Sequence, residues 1–396
     1  MRILLVWDYD RGDLTVPITL ALEKAEIVFL NKYNKVEDKN SYPHKRYYWN
    51  DFSSPYQVIK EIGPDRIVFM DVESFHQVAL NIAALNSGIE TYMLSHGVKA
   101  PYSSYTQHQM RQDKDSAKKN ESKGSPGSLA SSFRTLKFYF NAFQLQNIFS
   151  IYKFFRFIYT RSKLGVNDGL FNCQFALRRP SWYIDFTPFN SRFTMERDNP
   201  SPDQYIYTGN IYFDKYFKYI NQLDMKQASE EEDYYLLIDS GFVEDRMSLM
   251  EIKTVLEFYQ KLNSFCKTKK AKLKIKLHPH SYQASYLPDD PNISYLKDVN
   301  VIKEILGCVG CFHSHFSTLT PLAMYYKPSI LFNAFPVFNV DIINLDLLPV
   351  SNFYSFEPEE IRFREMDEKE KKILLDHYLF STDGKSGERL ANVLIK

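Results

Sequence analysis

Short apolar runs alternate with longer amphipathic segments along most of this chain. In the first half, apolar runs at residues 3–7, 66–71 and 90–94 have the length and composition of buried strands. Between the last two, residues 75–85 carry apolar side chains at the spacing of an amphipathic helix. Strand, helix and strand in this order predict a parallel sheet whose connections are right-handed crossovers.

The same alternation restarts in the second half of the chain. Its predicted strands span residues 234–238, 273–277 and 308–312. After the first of them, residues 248–266 predict a long helix. A chain of 396 residues is too long for one ordinary core. We therefore predict an α/β fold with two Rossmann-like domains, residues 1–200 and residues 201–396.

Two stretches of the first half depart from this alternation. Residues 104–132 are polar with few apolar anchors, so they cannot bury enough surface to offset the entropy of ordering, and we predict a mobile loop. Residues 133–163 are rich in aromatic and basic side chains and contain no acid. They predict one or two helices that either lie on an anionic membrane surface or pack on the first domain.

Composition and charge narrow the class of partner. The net charge is +1, so no strong overall field selects nucleic acid as a partner. Four cysteines are too few for a disulfide framework in a chain of this length. The first residues do not read as a signal peptide, and the sequence has no apolar stretch of about 18 residues. We therefore expect a cytoplasmic protein, bound at most peripherally at the inner face of the cytoplasmic membrane.

Three predicted strands of the second half end in polar residues suited to binding a phosphate or accepting a proton. The three groups are Asp239-Ser240-Gly241, Lys276 with His278-Pro279, and Ser314 with Ser317-Thr318. Since the carboxyl ends of parallel strands lie at one edge of a sheet, we expect the groups to converge there. Pro279 ends the second strand and favours extended geometry in the residue before it, so His278 should be held rigidly.

The chemistry of these groups is what transfer from a nucleotide-sugar requires. Ser317 and Thr318, at the start of a predicted helix, would bind a phosphate through hydroxyls and backbone N–H groups. His278 offers an imidazole for the same phosphate and would stabilise the charge that develops as the phosphate departs. Asp239, on a turn loosened by glycine, would deprotonate the acceptor hydroxyl or attack the anomeric carbon itself.

The order of these motifs resembles that of bacterial GT-B glycosyltransferases that use CMP-activated ulosonic acids. The sialyltransferases and polysialyltransferases of this group carry an acidic-acidic-glycine motif, a His-Pro motif and a serine or Ser/Thr motif, and the Kdo transferases look similar in layout. Asp239 and Gly241 match the first motif, although Ser240 replaces its second acid. The other two motifs are matched by His278-Pro279 and by Ser314 or Ser317-Thr318.

This resemblance implies a GT-B-like fold in which two Rossmann-like domains face a cleft. It implies a transferase of capsule or lipopolysaccharide assembly that moves sialic acid or Kdo from a CMP-sugar to a glycan or glycolipid acceptor. In such enzymes the acid, here Asp239, is the base or the nucleophile, while the histidine and the serines hold the CMP phosphate. Because the donor is already a nucleoside monophosphate ester, neither a divalent metal nor another cofactor is expected.

A second resemblance leaves the choice of base open. His96-Gly97 at the end of the 90–94 strand, with the same His278-Pro279 and Ser317-Thr318, resembles GT-B glycerophosphotransferases of the teichoic-acid type. That resemblance implies transfer of a polyol phosphate from a CDP donor, with His96 as the base. An epimerase that acts on a nucleotide-sugar and a non-enzymatic protein of polysaccharide assembly are the remaining alternatives.

Overall fold

The structure is a computed structural model, and it describes residues 1–7, 12–31, 44–103, 129–143, 152, 155–159, 178–223, 232–243, 250–334 and 336–396. Over these ranges the chain divides into two compact units. The first unit is made of Met1–His96, Pro101–Tyr219 and Phe380–Lys396. The second unit is made of Gly97–Ala100 and Ile220–Leu379.

The first unit is built on a seven-stranded parallel sheet, as the strand and helix alternation predicts. Its strands are β1 (Arg2–Val6), β2 (Glu26–Asn31), β3 (Lys45–Tyr48), β4 (Arg66–Phe69), β5 (Glu90–Leu94), β6 (Trp182–Asp185) and β7 (Tyr205–Tyr207). Their order is β3-β2-β1-β4-β5-β6-β7, and the pairs run parallel. The sheet therefore grows in opposite directions from β1 and β4, which is the doubly wound arrangement.

Helices pack on this sheet because its central strands are apolar on both faces. The helices are α1 (Gly12–Ala21), α2 (Pro55–Ile62), α3 (Phe75–Asn86), α4 (Leu129–Phe140), α5 (Arg192–Asp198) and α6 (Asp214–Gln222). Leu4 and Leu5 of β1 point to opposite faces, and both side chains are 0% exposed. Serine side chains cap two of these helices, since Ser54 and Ser74 accept backbone N–H groups from the first turns of α2 and α3.

The second unit is built on a six-stranded parallel sheet. Its strands are β8 (Tyr234–Ile238), β9 (Lys272–Lys276), β10 (Ile293–Leu296), β11 (Gly310–His313), β12 (Ser329–Phe332) and β13 (Val350–Ser351). The order is β10-β9-β8-β11-β12-β13. The connecting helices are α7 (Ile252–Thr268), α8 (Val301–Gly307), α9 (Thr320–Tyr326), α10 (Pro336–Asn344) and α11 (Glu368–Leu374). The three strands singled out by their polar ends, β9, β8 and β11, are therefore direct neighbours.

The carboxyl-terminal helix, α12 (Ser386–Leu394), belongs to the first unit although it follows the second sheet in sequence. Leu390 and Leu394 are buried in one apolar cluster with Ile18 and Leu22, which lie on and just after α1. The division of the chain therefore differs from the predicted boundary at residue 200. β7 completes the first sheet beyond that residue, and the apolar face of α12 is covered only by returning to the first unit.

A glycine permits the close approach of this returning segment. Gly209 follows β7 with a φ of +79°, and a Cβ there would lie 2.7 Å from the Ser386 hydroxyl oxygen. The backbone conformation and the short distance both exclude a larger side chain. Asp214, at the start of α6, then accepts hydrogen bonds from the N–H groups of Ser386 (3.0 Å) and Gly387 (2.7 Å). Asp214 thus caps the start of α12 from a distant part of the chain.

The prolines of residues 181–200 predict an irregular connection over this stretch, but it contains β6 and α5. The strand has four residues and lies between Pro180 and Pro188, so its short apolar run does not stand out in the sequence. Pro188 and Pro200, the prolines of this stretch, lie outside both elements, where a missing N–H does not interrupt hydrogen bonding. A second difference from the prediction is smaller. The strand predicted at residues 308–312 begins at Gly310 and ends at His313.

The aromatic and basic segment at residues 133–163 packs in part on the first unit. Four of its aromatic side chains lie in the core that also contains α3: Phe138, Tyr139, Phe143 and Phe157. Four others are exposed: Phe140, Tyr152, Phe155 and Tyr159. Among the helices that the structure describes, none is long and apolar enough to cross a membrane. The loop predicted as mobile lies outside the described residues, apart from its last four, which begin α4.

We expect Asp214→Ala to lower the free energy of unfolding by about 2 kcal/mol, because two N–H groups at the start of α12 lose their acceptor in a buried place. Asp376→Ala is the control, since its exposed pair with Lys372 should contribute less than about 0.5 kcal/mol. Urea unfolding of both variants measures the difference. Equal effects of the two substitutions would contradict a capping role for Asp214.

Candidate active site

The polar residues that follow β8, β9 and β11 meet at one edge of the second sheet. Ile238, the last residue of β8, is in register with Lys276 of β9 and with His313 of β11. Asp239, His278 and Ser314 follow these positions by one or two residues. The carboxyl ends of neighbouring parallel strands thus bring all three predicted groups together within this unit.

The Asp239 carboxylate joins the first of these loops to the second. Its Oδ2 accepts hydrogen bonds from the backbone N–H of Gly241 (3.0 Å) and of His278 (3.3 Å). Its Oδ1 accepts the hydroxyl of Tyr259 on α7 at 3.1 Å. Asp239 is 5% exposed and Tyr259 is 1% exposed. Burial, then the neighbouring Asp239 carboxylate, raises the pKa of Tyr259 well above its usual value, so this tyrosine remains a donor.

Gly241 turns the chain tightly against the histidine. Its φ is +72°, and a Cβ at this position would lie 3.0 Å from Nδ1 of His278 and 3.1 Å from its Cβ. A side chain would therefore both strain the backbone and push the imidazole away. The His278 ring itself is partly exposed, as is Lys276, and Pro279 next to it is exposed. The second loop thus presents the His278 imidazole and the Lys276 side chain at the surface of this unit.

Two serines join the first loop to the third. The hydroxyl oxygens of Ser240 and Ser314 are 2.6 Å apart and hydrogen bonded. Ser314 is 0% exposed and Ser240 is 9% exposed. The position where the sequence departs from the acidic-acidic-glycine pattern is therefore occupied by a neutral link between loops. The hydroxyl of Ser314, which was predicted to bind phosphate, is therefore buried and contacts Ser240.

The hydroxyls of Ser317 and Thr318 lie nearer the surface, ahead of the seven-residue helix α9. Ser317 donates its N–H to Oγ1 of Thr320 at 3.0 Å, and their hydroxyls are 3.2 Å apart. Thr318 Oγ1 accepts the N–H of Val98 at 3.3 Å. The fully buried Asn339 supports the same loop by accepting the Phe316 N–H at 2.8 Å. The third loop is therefore held by hydrogen bonds to the backbone of Val98 and to the side chain of Asn339.

A neutral histidine lies directly before Ser314. His313 is 1% exposed, and its Nε2 is 3.3 Å from the hydroxyl oxygen of Ser329. Burial, with a smaller effect of nearby His315, lowers the pKa of His313 to about 3. The imidazole therefore stays neutral at physiological pH and supports the strand end without adding charge to it.

The carboxyl edge of the first sheet holds a buried acid that the sequence pattern did not indicate. Asp185, the last residue of β6, is 2% exposed, and its Oδ1 accepts the N–H of Phe186 and the side-chain amide of Asn190, both at 2.6 Å. Ser95 on the neighbouring strand end donates its N–H to the carbonyl of Ile184 at 2.9 Å. Residues 181–200 are predicted as a connection, so the sequence marks Asp185 only as an acid that follows the short run Trp182-Tyr183-Ile184.

His96 and Gly97, which carry the resemblance to glycerophosphotransferases, follow Ser95 at this strand end. His96 is partly buried and belongs to the first unit. Gly97 begins the short segment that is grouped with the second unit, where Val98 bonds to Thr318. The role of His96 as an alternative base stays a prediction.

Metal and thiol chemistry has no obvious centre in the part of the chain that the structure describes. Over the described ranges, no three His, Cys, Asp or Glu side chains cluster in a way that could hold a metal ion. Cys308 and Cys311 are buried thiols whose sulfur atoms are 3.4 Å apart. They support the sheet from inside, as expected for thiols in an apolar run.

Solved structures of several enzymes are similar to this chain in fold. The glycosyltransferase of kitacinnamycin has a TM-score of 0.54 at 13% identity, covering 100% of this chain and 98% of that chain. A putative UDP-N-acetylglucosamine 2-epimerase from Listeria monocytogenes has 0.51 at 11%, covering 98% and 94%. The wall teichoic acid polymerase TagF has 0.53 at 12%, covering 99% and 87%. At such identities the likeness shows the fold alone, which is the α/β GT-B fold of glycosyltransferases, as predicted.

Fold and sequence together define the class as a glycosyltransferase of the GT-B type. Residues 22–306 match the family model described as Alpha-2,8-polysialyltransferase (POLYST). The chain therefore belongs to the alpha-2,8-polysialyltransferase family, which confirms the resemblance to sialyltransferases and polysialyltransferases. The matched span includes Asp239 and His278 and ends before Ser314. A comparison with curated protein sequences found no match.

Acidification should destabilise the protein through His313. The unfolded imidazole takes up a proton near pH 6.5, whereas the buried one does so near pH 3. The neutral, buried His313 therefore makes its full contribution to the free energy of unfolding above about pH 6.5, and this contribution is lost as the pH falls toward 3. Between pH 7 and pH 5 the wild type should lose roughly 2 kcal/mol more than His313→Gln.

Urea unfolding of both proteins at the two pH values measures this difference. His377→Gln, at a partly buried imidazole bonded to the Ile373 carbonyl, is the matched control and should keep the acid sensitivity of the wild type. If His313→Gln is as acid-sensitive as the wild type, the buried imidazole is not the group that responds.

Proposed function

We propose that this protein transfers sialic acid from CMP-sialic acid to a glycan acceptor during assembly of a surface polysaccharide, in a capsule or a lipopolysaccharide. The observation that carries the proposal is the hydrogen-bonded junction of the loops bearing Asp239, His278 and Ser314. Membership of the polysialyltransferase family favours sialic acid over Kdo as the sugar. Both sugars arrive on CMP, so the nucleotide site would serve either donor.

The phosphate of CMP would bind to the partly exposed polar groups of this edge. These are Lys276, His278, Ser317 and Thr318. An imidazole held by its neighbours can donate to the phosphate oxygens as the bond to the sugar breaks, and it needs no reorganisation at that moment. Gly241 and Pro279 would shape the backbone on either side of the imidazole. Ser314, being buried, would act through its link to Ser240.

The proposed transfer needs no metal ion or other cofactor. The leaving group is CMP, a single phosphate ester, so the charge to be stabilised is smaller than for a nucleoside diphosphate. The ammonium group of Lys276 is matched in charge to that phosphate, and the imidazole of His278 can donate a hydrogen bond to it. Transfer activity that persists in excess EDTA is the corresponding expectation.

We also propose that the segment at residues 133–163 attaches the protein to an anionic membrane surface, close to a glycolipid acceptor. Phe155 and Tyr159 are exposed one helical turn apart, and Arg156 lies exposed between them. Aromatic side chains favour the lipid interface, and basic ones favour anionic headgroups. Lys153 and Arg161, which belong to the same predicted surface, lie outside the described residues.

CMP should stabilise the protein more than UDP or GDP does. At about ten times its Kd, we expect CMP to raise the Tm by about 3–6 °C. His278→Ala should lower transfer from CMP-sialic acid at least about a hundredfold, since a donor to the departing phosphate is lost. His44→Ala, at a histidine of the first unit, is the control and should keep wild-type activity.

Thermal shift with CMP, CDP, UDP and GDP, followed by transfer assays with CMP-sialic acid and CMP-Kdo, checks this prediction. Stabilisation by CDP but not CMP would favour a polyol phosphotransferase. Transfer of Kdo but not of sialic acid would contradict the choice of sugar. No stabilisation by any nucleotide would contradict an enzyme of this class and favour an assembly protein.

Flotation with vesicles tests the membrane proposal. The protein should float with vesicles that contain anionic lipid and not with neutral ones, and binding should fall as salt rises. Neutralising Lys153, Arg156 and Arg161 together should abolish flotation. Neutralising the exposed Lys253, Lys369 and Lys372 removes the same charge elsewhere and should leave binding unchanged. Equal binding by both triple variants would rule out the 133–163 segment as the anchor.

A further inference from the structure

The side chain of Asn333 is oriented by a buried asparagine, Asn339. Asn333 directly follows β12, while Asn339 lies on α10 and is 0% exposed. Oδ1 of Asn339 accepts the backbone N–H of Phe316 at 2.8 Å, so its amide nitrogen is the atom that meets Asn333. That nitrogen donates to Oδ1 of Asn333 at 2.7 Å. The order of donors and acceptors therefore directs the other end of the Asn333 amide, the donor Nδ2, away from Asn339.

The amide nitrogen of Asn333 has no acceptor within the part of the chain that the structure describes. The residue is partly exposed. Its backbone is held on both sides, because its own N–H donates to the Ser351 carbonyl at 2.8 Å and that of Ala334 donates to the Ser314 carbonyl at 3.2 Å. A donor held in this way can bind an acceptor group of a ligand with little reorganisation.

Asn333 extends the row of polar strand ends at this sheet edge by one strand. The order β9-β8-β11-β12 places it beside the loop that bears Ser317 and Thr318, on the side away from His278. Neighbouring strands are about 4.8 Å apart. A phosphate held by His278 and by Ser317-Thr318, as in the proposed function, would therefore have the Asn333 amide as its neighbour on the side of β12.

A CMP-ulosonic acid offers one acceptor group directly beside its phosphate. The anomeric carbon of such a sugar carries both the ester oxygen of the phosphate and a carboxylate. On the nucleoside side, the carbon next to the ester oxygen is a methylene, which accepts no hydrogen bond. A carboxylate, in contrast, is a strong acceptor with two oxygens. The sugar carboxylate is thus the group that a donor next to the phosphate would meet.

A neutral amide suits this carboxylate better than a cation would. When the bond between the sugar and the phosphate breaks, positive charge develops at the anomeric carbon, as in other glycosyl transfers. The carboxylate on that carbon stabilises the developing charge. A lysine or arginine bound to the carboxylate would weaken this effect, whereas an amide orients the carboxylate and leaves its charge in place.

We propose that Asn333 is a specificity-determining residue whose amide nitrogen donates a hydrogen bond to the carboxylate of the ulosonic acid. This inference rests on the proposed function, since it takes CMP-sialic acid as the donor substrate. It assigns the sugar end of the donor to the loop after β12. The residue therefore acts on the sugar and not on the nucleotide, and this distinction can be measured.

The substitution Asn333→Asp removes the donor and keeps the contact with Asn339. One carboxylate oxygen can still accept the Asn339 amide, while the other takes the place of Nδ2 and repels the carboxylate of the sugar. We expect the Kd of CMP-sialic acid to rise at least about thirtyfold in Asn333→Asp. The Kd of CMP, which has no such carboxylate, should rise less than about threefold.

Asn352→Asp is the matched control. Asn352 follows β13, the next strand along the same edge. Its Oδ1 accepts the N–H groups of Tyr354 (2.9 Å) and Ser355 (3.2 Å), which a carboxylate can also accept. The substitution adds the same charge one strand further away, so both Kd values should stay within about threefold of the wild type.

Thermal unfolding without ligand tests the asparagine pair by itself. Asn333→Ala leaves the buried amide of Asn339 without its acceptor and should lower the Tm by about 2–4 °C. Asn333→Asp keeps that acceptor and should stay within about 1 °C of the wild type. Equal losses in the two variants would contradict the orientation of the Asn333 side chain.

Isothermal titration calorimetry with CMP and with CMP-sialic acid, in the absence of a glycan acceptor, gives the two Kd values. A parallel rise of both in Asn333→Asp overturns the proposal, because the amide would then meet the phosphate or the nucleoside. If the wild type binds and transfers sialic acid and Asn333→Asp does so equally well, only this inference fails. If the wild type binds neither ligand, the proposed function fails, and the inference fails with it.

Discussion

A buried carboxylate is tolerated only where the chain supplies donors for it, and this constraint organises the edge of the second sheet. Left without partners, the charge of Asp239 would cost several kcal/mol. Its partners come from the turn after β8, the end of β9 and the interior of α7. The register of β8 against β9, the tight turn at Gly241 and the packing of α7 must therefore be satisfied together.

Most of the fold follows from the sequence because parallel sheets leave a strong pattern. Strands buried on both faces are continuous apolar runs, and the helices between them are amphipathic, so both sheets and the neighbourhood of β9, β8 and β11 could be predicted. Two features could not. The strand β6 lies between Pro180 and Pro188, which favour a connection, and the return of α12 to the first unit depends on contacts between Leu390 and residues far away in sequence. Periodicity carries no information about such distant partners.

The candidate site was predictable in its members but not in its connections. Asp239, His278 and Ser317 were found because polar residues at strand ends stand out against apolar runs. Tyr259 was not, because its place on the buried face of α7 makes it look like any other core residue, and only the structure shows its hydroxyl on Asp239. Likewise, nothing local in the sequence pairs Ser240 with Ser314, since the pair forms between loops 74 residues apart.

Ser240 is the position at which this chain departs from the acidic-acidic-glycine motif, and its contacts show what a serine does there. A second acid there would lie beside Asp239 in a nearly closed place, facing the Ser314 hydroxyl, and two neighbouring carboxylates would repel each other. A serine instead forms a neutral 2.6 Å link to the third loop. The loops at the carboxyl edge of the second sheet are thus joined by the Asp239 carboxylate with its donors and by the uncharged pair of Ser240 and Ser314. Because the GT-B fold is shared with enzymes of different chemistry at 11–13% identity, such local differences, and not the fold, decide what this edge can bind.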